Sequence, residues 1–360
     1  MIEKKYLKGE EKIVLSLRTL YSKYGYLPFK MSKFEEYDLY AKNKEFLVSD
    51  SVITFTDTNG KLLALKPDVT LSIIKNATGV SGVKEKVYYS ENVYRISGST
   101  RQYKEIMQTG LECIGDIDLY DVCEVITLAK KSLESISKSY VLELSHMGII
   151  SSLIESINTS DDFKAEVLEL IKKKSIHEIE ACASRYGVSD SNSSLLTALA
   201  STYGEPTEVI SRLEKMDVSA DFKKACYDLK ELCSLIDTKN VRLDFSIVND
   251  MNYYNEIVFN GFIDGVCECV LFGGRYDKLL HKMNKHAGGI GFAIYTDLLE
   301  NLTKEKKGYD VDVLLLYKDT TPYSRVCEAV DWFVSQGKTV SAQKTIPQRL
   351  RYKEIKEMED

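Results

Sequence analysis

Two long strand-like stretches, 86–96 and 104–115, set the strongest constraint on the fold of this 360-residue chain. The polar loop SGSTRQY separates them. A connection this short joins neighbouring antiparallel strands, whereas parallel strands need a crossover of a dozen or more residues. We therefore predict an antiparallel hairpin whose loop end is positively charged, because it carries Arg95, Arg101 and Lys104.

The sequence around this hairpin predicts an α+β fold, with helices flanking one antiparallel sheet. Helical periodicity covers 9–25, and strand patterns follow, with Asn59-Gly60 at a tight hairpin turn. A helix is expected to open at Thr70, with the threonine hydroxyl as its N-cap. Further strands are expected later in the chain, at 139–145, 241–248, 253–260 and 265–272.

The pattern differs from a dinucleotide-binding fold. It lacks the alternation of strands and helices, and no GxGxxG or GxxxxGK motif follows a strand. The glycines at 288, 289 and 291 precede a strand rather than a helix, so we interpret them as sites of close packing.

Changes in composition divide the chain into parts. Residues 1–303 are predicted to form the main domain, and the stretch from about 158 to 238 is predicted to be a helical insertion within it. Residues 309–360 predict a small, truncated α/β unit in the order strand, helix, strand, helix, with its second helix at 347–358.

Composition also argues against several classes of function. The net charge is −6 and the basic residues are scattered, so nucleic acid is not expected as the principal partner. No apolar stretch approaches the roughly 20 residues that cross a bilayer, so we expect a cytoplasmic protein. The eight cysteines form no CxxC pair and the four histidines have no metal-ligand spacing, so neither a metal nor another cofactor is expected.

One face of the predicted sheet gathers polar side chains that are unusual in strands. Gln108 and Glu112 are four residues apart and therefore share a strand face. Carboxylates, an amide and tyrosine hydroxyls together suit a small zwitterion with a basic side chain, such as histidine. Ordinary, internally satisfied polar groups are the alternative. The candidate residues are Asp68, Thr70, Arg95, Gln108, Glu112, Tyr253, Tyr254 and Tyr276.

Several stretches, taken in order, resemble the histidyl-tRNA synthetases and their non-catalytic relatives. They are LALKPDVTLSIIK, VYRISGSTRQYKEIMQTGLECIG, LDFSIVNDMNYYNEIVF, FGGRYDKLLHKM and GGIGFAIYTDLL. The resemblance covers roughly residues 5–300, with a weaker similarity of 309–360 to part of the synthetases' anticodon-binding domain. It implies a class II aminoacyl-tRNA synthetase core. It also implies that Thr70, Gln108, Glu112, Tyr253 and Tyr254 match positions where the family recognises histidine.

The chain departs from the synthetases where they bind phosphate. Asn249, beside the acidic Asp250, replaces an arginine that bridges the substrate carboxylate and the ATP α-phosphate. Leu298 replaces the ATP-binding arginine of the third class II motif, Ser97 a glutamate of the second, and Ser32 the proline of the first. Fixed cations stabilise a phosphoryl transition state, so the resemblance implies a protein that does not activate an amino acid.

A retained amino-acid pocket without the phosphate-binding arginines resembles the regulatory subunits of ATP phosphoribosyltransferase. The resemblance implies a short-form catalytic subunit as partner, histidine as a feedback ligand at the eight candidate residues, and a homodimer built around residues 27–60 within a larger hetero-oligomer. Transfer RNA is not expected as a partner. A divergent histidyl-tRNA synthetase, or another synthetase-derived sensor, is the alternative.

Two further features have simpler interpretations. His146 is expected to cap or pack at a strand end, with a place at a subunit interface as the alternative. The run Lys172-Lys173-Lys174 is expected to be a solvated helix end, where cations suit the helix dipole.

Overall fold

The structure is a computed structural model that describes residues 7–44, 47, 52–79, 82–97, 100–157, 159–248, 253–303 and 308–358. The described residues divide into two compact units, within Met1–Thr303 and Lys304–Asp360. Across these ranges, no helix has the length and apolar character needed to span a membrane.

The strands are numbered in chain order. They are β1 (Leu27–Pro28), β2 (Phe34–Glu36), β3 (Thr54–Thr56), β4 (Leu62–Leu65), β5 (Glu85–Ile96), β6 (Tyr103–Gly115), β7 (Tyr140–His146), β8 (Tyr203–Gly204), β9 (Val241–Asp244), β10 (Ile257–Ile263), β11 (Leu271–Arg275), β12 (Gly288–Tyr295), β13 (Val311–Leu316), β14 (Val340–Gln343) and β15 (Tyr352–Glu357).

The helices are numbered in the same way, and a 3₁₀ turn at Thr296–Leu299 precedes the last helix of the larger unit. They are α1 (Gly9–Lys23), α2 (Tyr37–Ala41), α3 (Thr70–Asn76), α4 (Leu119–Ile136), α5 (Met147–Ser156), α6 (Asp161–Lys172), α7 (Ile176–Arg185), α8 (Asp190–Ala200), α9 (Pro206–Leu213), α10 (Ala220–Leu235), α11 (Asp277–Lys282), α12 (Glu300–Thr303) and α13 (Tyr323–Ser335).

A nine-stranded sheet forms the centre of the larger unit, in the order β1-β5-β6-β12-β11-β10-β7-β9-β8. The predicted hairpin is confirmed: β5 and β6 pair antiparallel from Glu85↔Ile114 to Ile96↔Tyr103. Of the sheet's eight strand pairs, β1 with β5 and β7 with β9 are parallel and the others antiparallel. The sheet is therefore predominantly antiparallel, as the α+β prediction requires.

Helices α1 and α4 bury their apolar faces in the main hydrophobic core. Leu17 and Tyr21 of α1 and Leu128 and Leu133 of α4 are fully buried there. Asp118 caps α4 by accepting a hydrogen bond from the Asp121 amide. The predicted capping role of His146 is confirmed, since its Nδ1 accepts a hydrogen bond of 3.1 Å from the Gly148 amide at the start of α5. Burial lowers the pKa of His146 to about 4.

The stretch predicted to be a helical insertion contains α6 to α10 and the short strand β8. Serines cap three of its helices, at Ser160, Ser189 and Ser219, each accepting from an amide in the first turn. The apolar face of α6, with Val167 and Ile171 fully buried, belongs to the same hydrophobic core as the sheet.

Two predicted strands lie elsewhere than expected. Tyr253 and Tyr254 precede β10 instead of lying within it, and 264–268 forms turns before β11. Cys267 is consequently exposed. Short polar and glycine residues near these positions favour turns over a ladder, which the apolar pattern alone did not reveal.

The smaller unit has a three-stranded parallel sheet in the order β14-β13-β15, with α13 between β13 and β14 in the chain. The predicted helix at 347–358 is wrong, because Tyr352–Glu357 forms β15. Its Lys and Glu residues have high helix propensity, but pairing with β13 and an ion pair between Glu354 and Lys338 of 2.6 Å favour the strand.

Candidate ligand site

A cavity of about 440 Å³ opens on the hairpin face of the large sheet, within the range of small-molecule sites. All eight residues predicted from the sequence line it. They come from the loop before α3 and the first residue of α3, the strands β5 and β6, the turn before β10 and the residue after β11. Residues far apart in the chain therefore converge because neighbouring strands of one sheet present them on one face.

Glu112 is the central acidic group of the cavity. It is 2% exposed, and Thr70 donates its hydroxyl hydrogen to Oε1 at 2.8 Å while Tyr276 donates to Oε2. Burial raises the pKa of Glu112 to about 8, although both hydrogen bonds favour the charged form. Burial therefore favours the protonated form of Glu112, whereas a cationic group beside it would favour its ionised form.

Asp68 adds a second, half-buried carboxyl group beside the start of α3. Its Oδ1 accepts a hydrogen bond of 2.9 Å from the Leu71 amide, so the aspartate satisfies an otherwise free amide of the first turn. The predicted N-cap at Thr70 is wrong, because Thr70 is the first residue of α3 and its hydroxyl bonds to Glu112. Burial raises the pKa of Asp68, and the nearby Arg95 opposes that shift.

Three tyrosines form an aromatic wall next to these carboxyl groups. The ring centroids of Tyr253 and Tyr254 are 4.5 Å apart, and those of Tyr253 and Tyr276 are 6.0 Å apart. Burial raises the pKa of each hydroxyl, with the acidic neighbours adding to the effect. The hydroxyls therefore remain neutral hydrogen-bond donors, and that of Tyr276 already donates to Glu112.

Arg95 lies inside the cavity rather than at an exposed hairpin mouth. Its side chain is buried, with Nε donating to the Pro67 carbonyl at 2.8 Å and a terminal nitrogen donating to the Tyr295 hydroxyl at 3.0 Å. Arg101 and Lys104 are exposed, so the predicted positive loop end consists of these two residues without Arg95.

Several lining residues were missed from the sequence, among them Tyr89, Lys172, Phe272, Gly291 and Tyr295. The sequence could have indicated Tyr89, because it lies an even number of residues before Arg95 on β5 and therefore shares the same strand face. No signal in the sequence pointed to Lys172, because only the folding of the insertion against the sheet brings it to the cavity. The expectation of a solvated helix end holds for the end of α6, but Lys174 pairs with the buried Asp244 at 2.7 Å.

The residues that replace the synthetases' phosphate-binding arginines lie partly within the part of the chain that the structure describes. Asn249 and Asp250 lie outside the described residues. Leu298, in the 3₁₀ turn after β12, is half-buried and packs against the main hydrophobic core. An apolar side chain there contributes packing and offers no charge to a phosphate. Among the described residues that line the cavity, the cations are Arg95 and Lys172.

A predominantly antiparallel sheet flanked by helices, with a polar cavity over its central hairpin, is the core of the class II aminoacyl-tRNA synthetases. Structural comparison confirms this fold. A Bacillus halodurans protein described as an ATP phosphoribosyltransferase regulatory subunit/histidyl-tRNA synthetase superposes with a TM-score of 0.82 at 20% identity, covering 97% of this chain and 93% of that one. The family model for histidyl-tRNA synthetase matches residues 4–299. The chain belongs to the histidyl-tRNA synthetase family.

Two further similar proteins have names that refer to ATP phosphoribosyltransferase. The ATP phosphoribosyltransferase regulatory subunit of Oceanobacillus iheyensis is 26% identical over 297 residues, which is 81% of this chain and 73% of that protein. A chain of the ATP phosphoribosyl transferase complex from Thermotoga maritima superposes with a TM-score of 0.63 at 22% identity, covering 79% of this chain and 96% of that one.

Proposed function

We propose that this chain is a cytoplasmic, non-catalytic regulatory subunit of ATP phosphoribosyltransferase, and that histidine binds in the cavity described above. The observation that carries the proposal is the placing of the buried Glu112 and the half-buried Asp68 beside the tyrosine wall. Asp68 suits the ammonium group of an amino acid, and Glu112 with the tyrosine hydroxyls suits an imidazole ring.

The distribution of charge supports a binding role over amino-acid activation. Adenylate formation needs cations around a phosphoryl centre, and loss of one fixed donor typically costs about 10²–10³ in rate. Leu298 is apolar, and Asn249 replaces an arginine in the sequence. The relatives named as regulatory subunits support the same reading.

The proposed assembly is a homodimer that binds a short catalytic subunit. The small sheet β2-β4-β3 has an outer face on which Phe34 and Phe55 pack edge to face at 5.6 Å. Both rings are substantially exposed, at 46% and 38%. An exposed aromatic pair on a sheet face is typical of a protein interface, and this face lies in the region expected to dimerise.

The test is reconstitution with the short phosphoribosyltransferase encoded in the same genome. We expect the catalytic chain to gain activity when this chain is added, and the complex to be inhibited by histidine. Tyr276→Phe should weaken inhibition because the hydroxyl that bonds Glu112 is lost, with Tyr227→Phe on the exposed face of α10 as control. A catalytic chain that neither binds this protein nor changes in activity would contradict the proposal.

A further inference from the structure

Lys172 brings a cation from the helical insertion to a cavity otherwise built on the sheet. It is the last residue of α6 and directly follows Ile171, which is fully buried. Phe163, Val167 and Ile171 anchor α6 in the main hydrophobic core. The helix end is therefore fixed beside the cavity, and the flexible lysine side chain carries its ammonium group from there.

The two cations of the cavity differ in how far their charge is already satisfied. Arg95 is buried, makes two hydrogen bonds within the protein and acts on the neighbouring Asp68. Lys172 pairs with Glu169 of its own helix at 3.8 Å, and both side chains are more than half exposed. Such a pair contributes little free energy, so the Lys172 ammonium group is readily available to a ligand.

The cavity therefore combines two acidic side chains with two cationic ones, of which Arg95 is buried and acts on Asp68 whereas Lys172 is exposed. Asp68 and Glu112 favour the positive groups of a ligand and, when ionised, repel a negative one. An amino acid also carries a carboxylate, which needs a hydrogen-bond donor or a positive charge once it leaves water. Lys172 supplies both.

We propose that Lys172 binds the carboxylate of the amino-acid ligand, an inference that rests on the proposed histidine site. The contact joins the helical insertion to the sheet through the ligand. Recognition thereby becomes selective for ligands that keep a carboxylate.

Calorimetry with histidine and histidinol tests this, because histidinol replaces the carboxylate with an alcohol. Wild type should bind histidine about tenfold more tightly than histidinol, as expected for one charge-assisted hydrogen bond. Lys172→Met should lose that preference while leaving histidinol binding unchanged. Lys173→Met is the matched control, since Lys173 is the adjacent exposed residue and does not line the cavity.

The possible outcomes distinguish a failure of this inference alone from a failure of the proposed function. If histidine binds and Lys172→Met keeps the wild-type preference over histidinol, Lys172 does not bind the carboxylate and the histidine site stands. A Lys172→Met protein that loses affinity for both ligands equally also overturns the carboxylate contact. If wild type binds neither ligand, the proposed histidine site and this inference both fail. Lys172→Arg, which keeps the charge, should retain the preference.

Discussion

Gly291 of β12 lies directly opposite Glu112 of β6, and the space a side chain at 291 would fill is occupied by the Glu112 carboxyl group. A Cβ atom there would overlap Glu112 Oε2 and press on the Leu111 carbonyl. The two strands cannot separate freely because the ladder from Gly288↔Gly115 to Tyr295↔Gln108 holds them. Glycine is therefore needed for close approach, as the sequence pattern predicted.

Substitution of this glycine should damage both stability and the site. We expect Gly291→Ala to lower the free energy of unfolding by about 1–3 kcal/mol, since overpacking forces side chains and backbone to move. The displaced carboxyl group should also lose its bonds from Thr70 and Tyr276. Urea denaturation and ligand calorimetry measure the two effects. Gly308→Ala, where the added Cβ meets nothing within 4 Å, should leave both unchanged.

The raised pKa of Glu112 predicts a pH-dependent stability. The pKa of Glu112 in the folded protein is about 8, above its usual 4.5. Its protonated form therefore contributes stability that is fully present below pH 4.5. That contribution is lost as pH rises through about 8. Relative to Glu112→Gln, which cannot titrate, wild type should lose up to about 1.4 kcal/mol of unfolding free energy per pH unit within this window.

Chemical denaturation at several pH values between 5 and 9 measures this difference. Asp68, whose pKa is also raised by burial, is present in both proteins, so the comparison reports the loss of Glu112 together with its interaction with Asp68. Glu105→Gln, on the same strand but outside the cavity lining, should follow wild type. Parallel stability curves for wild type and Glu112→Gln would contradict the buried, protonated state of Glu112.

Much of the site could be predicted because its residues belong to strands and short motifs with local signals. Gln108 and Glu112 followed from strand alternation, and the close packing of the glycines in β12 followed from the absence of a helix directly after them. Asp68 and Thr70 line the cavity as predicted, but the helix-capping role predicted for Thr70 belongs to Asp68, which accepts from the Leu71 amide. Both residues can cap a helix, and the choice depends on Glu112, which is distant in sequence.

The missed features depend on contacts between distant segments. Lys172 reaches the cavity because the insertion packs on the sheet, and nothing in its local sequence distinguishes it from Lys173. The strand Tyr352–Glu357 was predicted as helix because its composition favours one, whereas its pairing with β13 is non-local. Propensity describes the local preference of a segment, and tertiary contacts override it in both cases.

The exposed aromatic pair on the small sheet predicts a mutation that breaks the proposed dimer. Phe55→Glu should place a charge in the interface and yield a monomer at micromolar concentrations, measured by light scattering. Tyr227→Glu introduces the same charge on α10, at a ring that is 63% exposed, and should leave the dimer intact. A wild-type monomer, or a Phe55→Glu dimer of undiminished affinity, would place the interface elsewhere.

The apolar Leu298 and the sequence change at Asn249 predict that the isolated chain does not activate histidine. Histidine-dependent exchange of pyrophosphate into ATP should be at least about 10³-fold slower than for an ordinary histidyl-tRNA synthetase assayed in parallel. The assay needs no partner and isolates the adenylation step. Exchange within tenfold of the synthetase would instead support the alternative of a divergent synthetase.

The position of Glu112 in the cavity leads to a prediction about the affinity for histidine. Because burial raises the pKa of Glu112, its carboxyl group can bring a proton to the imidazole ring of the ligand. The transfer leaves an ion pair within the cavity. Glutamine has nearly the same shape but cannot transfer a proton, so Glu112→Gln should weaken histidine binding about tenfold or more. Wild-type affinity is expected in the range of tens to hundreds of micromolar.

Calorimetry on wild type, Glu112→Gln and the Glu105→Gln control measures this directly. Above about pH 8, wild type loses the proton that Glu112 would supply, so its affinity should fall toward that of Glu112→Gln. The two proteins should therefore differ most near neutral pH and converge as pH rises. Equal affinities at neutral pH would show that histidine does not contact Glu112, and would place its site outside this cavity.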